Sequence, residues 1–260
     1  MRLTTRPRRR TTVTAVVAAM AIFGLTAPAV LAVAEPGTPA KDVHIGLDND
    51  NAANTFVQPP GVTAKQHMDS TDVLLGRGND DLLIGNLGGD TLLGGTGDDI
   101  EIGGPENFAA PNSDVIVGDR GNDINIWAPG DGSDAFLGQE GFDTMVFAPF
   151  QKNADGSLKL ERRLHRTVPR VDIGGKAPFS CDIVRVPKEQ RLGFQFLVRF
   201  NVNGVPAVTV RQKDVERVFC PSPETGMARV ADLTTRYPSF RTVPLNRVGG
   251  VTGAILAPAG

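Results

Sequence analysis

The chain has 260 residues, of which 40% are hydrophobic and 30 are glycine, with two cysteines and a formal net charge of −2. That is room for one or two domains with a sizeable core. The small net charge hides a segregation: fifteen acids against two arginines in residues 72–147, then eighteen bases against nine acids in 148–260. A uniformly basic nucleic-acid binder is excluded, and since no aromatic–basic platform accompanies the basic half, no nucleic-acid partner is expected.

Residues 1–34 hold Arg2, Arg6, Arg8, Arg9 and Arg10 and no acid, followed by an apolar run from Val13 to about Val30 and the A-x-A triplet Ala32-Val33-Ala34. This predicts a secretory signal peptide cleaved after Ala34 and a secreted or cell-surface protein, with membrane attachment only if the leader is not cleaved. The Arg9-Arg10 pair leaves the general and twin-arginine export routes both open. Residues 35–69 contain Pro36, Pro39, Pro59, Pro60 and Gly61 without sustained periodicity and read as an irregular lead-in or linker. Asp48 and Asp50 resemble the start of a calcium loop, but Ala52 stands at the third ligand position.

Residues 70–147 are periodic. Aspartates fall at 72, 81, 90 and 99, then at 114 and 123, then at 134 and 143, nine apart within each series. A short apolar-rich triplet follows each one (VLL, LLI, TLL, IEI, VIV, INI, AFL, TMV), and glycines flank most of the units. GPENFAAPNS stretches one spacing to fifteen and APGDGS another to eleven. Nine residues are too few for a helix pair but suit a turn of about six residues plus a strand of three, the unit of a parallel β-roll.

GGTGDDIEI (94–102) resembles the repeat G-G-x-G-x-D-x-U-x of RTX (hemolysin-type) calcium-binding proteins, and LGRGNDDLL (75–83) and DRGNDINI (119–126) are partial matches. The resemblance implies a β-roll that binds several Ca²⁺ ions. It implies metal ligands at Asp72, Asp81, Asp90, Asp99, Asp114, Asp123, Asp134 and Asp143, with Asp80 competing with Asp81 for the ligand place. Backbone carbonyls around Gly76, Gly78, Gly85, Gly88, Gly94, Gly95, Gly97 and Gly121 would complete the coordination. It further implies stacking between units on the same side, which pairs Asp72 with Asp90, Asp81 with Asp99, Asp114 with Asp134 and Asp123 with Asp143. Two features depart from the repeat. Glu101 and Asn125 occupy the inward apolar place two after the aspartate, whereas the place three after is aliphatic in all eight units. Either the inward face is swapped, or both faces of some strands are covered because the C-terminal region packs on one outer wall.

Residues 148–260 are expected to form a C-terminal β-rich domain, giving a mainly β chain. FQFLVRFNV (194–202) alternates, Asn203-Gly204 supplies a tight turn and VPAVTVRQ returns, with Pro206 expected at an edge or non-bonded position. Cys181 and Cys220 are expected to form a disulfide in an oxidising compartment. No catalytic motif appears: there is no H-E-x-x-H and no G-x-S-x-G, and His44, His67 and His165 are scattered. Ser222 reads as a loop residue and Trp127 as a packing residue or a carbohydrate platform. The expectation is a non-enzymatic, calcium-ordered protein with a structural, adhesive or recognition role and a possible cell-surface or wall-polymer partner. The alternative is an extracellular calcium-dependent hydrolase with its site in 148–260.

Overall fold

The structure, a computed structural model, describes residues 34–36, 43–45, 73–85, 89–104 and 113–258. The leader up to residue 33, most of the lead-in, Asp72 and Gly88 lie outside these residues. The described part belongs to one compact unit, Ala32–Gly260.

The nonapeptide ladder folds as a parallel β-solenoid. Its strands are β1 (Ala34–Pro36), β2 (Val43–Ile45), β3 (Val73–Gly78), β4 (Leu82–Ile84), β5 (Thr91–Thr96), β6 (Ile100–Ile102), β7 (Val115–Arg120), β8 (Ile124–Trp127), β9 (Ala135–Glu140) and β10 (Thr144–Phe147). Odd-numbered strands stack in one sheet, sheet A, in the order β1-β3-β5-β7-β9. Even-numbered strands stack in the other, sheet B, in the order β2-β4-β6-β8-β10. One coil is therefore two nonapeptide units, and strands two units apart pair in register, as Leu74 with Leu92 and Leu83 with Glu101. Sheet A strands run to six residues because pairing continues past the apolar triplet into the glycine turn, as Arg77 with Gly95.

The C-terminal region continues both sheets. Its strands are β11 (Leu160–Arg163), β12 (Arg166–Pro169), β13 (Phe179–Arg185), β14 (Phe196–Val202), β15 (Val205–Lys213), β16 (Arg217–Pro221), β17 (Met227–Asp232) and β18 (Arg241–Pro244), followed by one short helix, α1 (Gly250–Leu256). β15 pairs parallel with β9 and extends sheet A through β14 and β13. β16 pairs parallel with β10 and extends sheet B through β17 and β18. The β14–β15 hairpin turns at Asn203 and Gly204, both at positive φ (53° and 77°), as an Asn-Gly turn requires. Pro206 pairs with Asn201 beside a register shift, in the part of β15 that β9 does not reach, so its missing N–H leaves no ladder bond broken.

The roll interior is filled by the middle residues of the triplets, among them Leu74, Leu83, Leu92, Ile116, Phe136 and Met145. Successive strand residues point to opposite faces, so the flanking residues point outward. In sheet A these are half-buried (Val73, Leu75, Val115, Val117), whereas in sheet B they are fully buried. Leu82, Ile84, Ile100, Ile102, Ile124, Ile126 and Val146 pack under Val168, Val171, Ile173, Leu245, Ile255 and Leu256. The C-terminal region thus covers one outer wall, and this explains aliphatic residues on both faces of the same strand. Each such side chain removed from water contributes about 1.5–3 kcal/mol. The interior core runs on into Phe196, Val198, Phe200 and Val210, where the Cys181–Cys220 disulfide joins β13 of sheet A to β16 of sheet B. Among the described residues no helix is long and apolar enough to cross a membrane.

Candidate metal centre

The aspartates form two buried columns. One precedes the sheet A strands and contains Asp90, Asp114 and Asp134; the other precedes the sheet B strands and contains Asp81, Asp99, Asp123 and Asp143. All seven are 1% exposed or less. From Asp99 onward each Oδ1 accepts the backbone N–H of the aspartate one coil earlier: Asp81 donates to Asp99 at 2.7 Å, Asp90 to Asp114 at 2.7 Å and Asp99 to Asp123 at 2.8 Å. Asp114 donates to Asp134 and Asp123 to Asp143, both at 2.9 Å. The expected neighbours 81/99, 114/134 and 123/143 therefore stack, and the ladder also bridges the fifteen-residue spacing. Asp80 and Asp81 differ in depth. Asp81 joins the buried column, while Asp80 starts a shallower ladder in which its Oδ1 accepts Asp98 N–H and Asp98 Oδ1 accepts Asn122 N–H.

The second carboxylate oxygen faces the place where a glycine side chain would be. A Cβ on Gly118 would lie 2.2 Å from Asp123 Oδ2, and one on Gly138 would lie 2.2 Å from both Asp143 Oδ2 and the Asp214 carbonyl. Beside Gly94 the same space holds Asp99 Oδ2 at 2.4 Å and the Gly118 carbonyl at 2.9 Å. The glycine is thus needed for room, and its absent side chain makes a cradle where a carboxylate oxygen and a carbonyl of the next coil converge. A second glycine column, Gly97, Gly121 and Gly141, has φ of 144–150° and stacks so closely on the previous coil that a Cβ on Gly121 would stand 1.6 Å from the Gly97 carbonyl. No other residue fits there. Gly76, Gly78 and Gly95 lie at the same corner, Gly85 at the opposite one after β4, and Gly95 stacks against Arg77.

The Oδ2 atoms of Asp99, Asp114, Asp123, Asp134 and Asp143 are buried and receive no hydrogen bond from a described residue. Burial pushes Asp99, Asp134 and Asp143 up to about 7 and Asp123 up to about 8, and the backbone N–H each accepts only partly opposes this. Asp114 is raised as well, by burial and by the neighbouring charges of Asp134, Asp131 and Asp90. These oxygens are hard and short of donors, and once deprotonated they are the donor set a calcium ion accepts.

Two members of the site lie outside the repeat pattern. Asp131, from the APGDGS segment, comes together with Asp114 and Asp134 so that one carboxylate oxygen of each lies within 4.8 Å of the others. All three are buried. Its only sequence signal is a surplus acid in an insertion that departs from the nine-residue period. Glu216 ends the second column: its Oε2 accepts the Asp143 N–H at 2.7 Å, the place an aspartate fills in the earlier coils. It lies 73 residues from Asp143, and nothing periodic marks it.

Elsewhere, Arg166 of β12 is buried, donates to the Asp81 carbonyl at 3.3 Å and pairs with Asp80 at 3.8 Å, so the basic half contacts the acidic one. Trp127 is buried against Phe147 and Phe200, and its Nε1–H donates to the Gly132 carbonyl at 2.9 Å, which makes it a packing residue. Ser222 is buried with its Oγ accepting the Glu224 N–H, as in a turn, and His165 is exposed at positive φ. Arg217, Arg241 and Arg247 line a surface groove over sheet B. No protein-family model matches the chain, and no curated protein matches it.

Proposed function

We propose that this is an exported, non-enzymatic, calcium-binding protein whose β-roll resembles those of RTX proteins and is ordered by several Ca²⁺ ions. The observation that carries the reading is the buried cluster of Asp114, Asp131 and Asp134, whose oxygens approach within 4.8 Å. Three carboxylates brought that close repel strongly unless a cation or protons neutralise them. A cation is favoured because a donor-poor carboxylate oxygen beside a carbonyl of the neighbouring strand recurs in the second column, at Asp99 with the Gly118 carbonyl and at Asp143 with the Asp214 carbonyl. Oxygen-only donors favour calcium over zinc, and a crowded carboxylate set favours it over magnesium, which keeps its waters.

Terbium luminescence tests the cluster directly, since the indole of Trp127 is bonded to Gly132, the residue after Asp131. Tb³⁺ added to the chelated protein is expected to give tryptophan-sensitised emission that calcium displaces, and Asp131→Asn is expected to weaken it at least tenfold. Emission that calcium does not displace, or none at all, contradicts the reading. Outside the roll, the groove of Arg217, Arg241 and Arg247 supports an anionic surface polymer as the partner. Retention on such a polymer that is unchanged in Arg241→Ala/Arg247→Ala contradicts that part. Turnover in a hydrolase screen contradicts the non-enzymatic part.

A further inference from the structure

Glu101 is the middle residue of β6 and points into the roll, where Leu83 sits one coil earlier and Asn125 one coil later. It is fully buried, and the one donor among the described residues that faces its carboxylate is the Gly94 N–H, which makes no well-formed hydrogen bond to either oxygen. Asn125 is 1% exposed and spends its amide N–H on the Glu101 backbone carbonyl at 3.3 Å, which leaves its Oδ1 without a donor among the described residues. Two residues before each stand Asp99 and Asp123, stacked through the Asp99 N–H and Asp123 Oδ1, and their Oδ2 atoms are also buried without donors. The charges that act most strongly on Glu101 are those of Asp123, Asp99 and Asp143.

Two successive coils therefore present five donor-poor oxygens: both of Glu101, Oδ1 of Asn125, and Oδ2 of Asp99 and of Asp123. An apolar residue serves at this position elsewhere, as Leu83 and Met145 do. Burying an unpaired carboxylate in their place is strongly unfavourable. A buried water offers two hydrogens to such a set, whereas a calcium ion accepts six to eight oxygens. We propose that Glu101 and Asn125 are ligands, from the interior side, of a cation shared with Asp123. The polar residues in an otherwise apolar stack are then part of the metal site. This rests on the reading that the aspartate columns bind calcium.

The test is calorimetric titration of Ca²⁺ into the chelated full chain, for the wild type, Glu101→Gln and Glu101→Leu. Leucine is what the preceding coil carries, and glutamine keeps the shape without the charge. Both variants are expected to bind one ion fewer, or one ion at least tenfold more weakly, with a wild-type circular dichroism spectrum at saturating calcium. Isotherms identical to the wild type, with Glu101→Leu raising the melting temperature in chelator and in calcium alike, would make Glu101 a buried neutral acid and overturn the assignment alone. A wild type that takes up no calcium overturns the calcium reading and this proposal with it.

Discussion

An aspartate in a column has two oxygens with different tasks. Oδ1 closes the ladder to the previous coil, and Oδ2 lies in the space left by a preceding glycine, five residues earlier for Asp123 beside Gly118 and eleven for Asp114 beside Gly103. Gly118→Ala is expected to displace Asp123 and to cost about 1–3 kcal/mol, as overpacked interiors do. Gly89→Ala, whose nearest contact would be an ordinary 3.6 Å, should stay within about 0.5 kcal/mol in the same urea denaturation. The raised carboxylates give the calcium-free protein an unusual pH response. Asp99, Asp134 and Asp143 lie near 7 and Asp123 near 8 in the folded chain, against 3.8 ordinarily. The folded state holds protons that the unfolded state has released, so stability falls with rising pH in that interval. The contribution is complete below about pH 4 and is lost as pH rises through 7–8. The β content of the chelated protein should therefore be higher at pH 5.5 than at pH 8.5, and calcium should remove the difference. A chelated protein that gains stability over that range contradicts the account. At this scale much was legible. The nine-residue spacing places the two columns, because a period of nine returns each aspartate to the same corner every second unit. Asp131 was not legible, since it enters the site from an insertion outside the period.

At the scale of strands, the roll ends by templating the C-terminal region. β9 and β10 each present an open edge, and β15 and β16 pair with them in parallel, so the C-terminal strands continue the two sheets. The Asp134 carbonyl accepts Arg211 N–H and the Asp143 carbonyl accepts Glu216 and Arg217 N–H, the bonds that earlier aspartate carbonyls make to the next coil. Glu216→Ala should leave the buried Asp143 N–H unsatisfied and cost about 1–3 kcal/mol in equilibrium denaturation. Aspartate at 216 tests whether reach or charge matters. The β14–β15 hairpin was legible from alternation and Asn203-Gly204, because turn and pattern are local. Parallel pairing of β15 with β9 was not, because it joins residues about 75 positions apart and no local signal records such a partner. The covered wall of sheet B was legible in part. Aliphatic residues at both flanks of LLI, IEI and INI fitted either a swapped inward face or a covered wall, and packing under Val168, Ile255 and Leu256 shows the cover.

In the whole molecule, the acidic roll and the basic C-terminal region share one core and one pair of sheets. Arg166 reaches the Asp80–Asp81 turn, yet one such contact does not neutralise fifteen acids against two arginines in residues 72–147. Repulsion within the roll is then relieved by bound cations or by protons. Because β9 and β10 template the strands beyond them, losing the roll should also loosen sheets A and B past β15 and β16, with the disulfide still holding β13 to β16. Folding and metal binding are expected to be one coupled event, as in other metal-dependent modules. The most direct test is a calcium titration of the chelated protein at pH 7.5 followed by far-ultraviolet circular dichroism and calorimetry together. The account predicts a weak β signal in chelator that rises to a plateau in step with the heat of binding of several ions, with dissociation constants on the order of 10⁻⁴–10⁻³ M. A full β spectrum in excess chelator, with no heat on adding calcium, would contradict it.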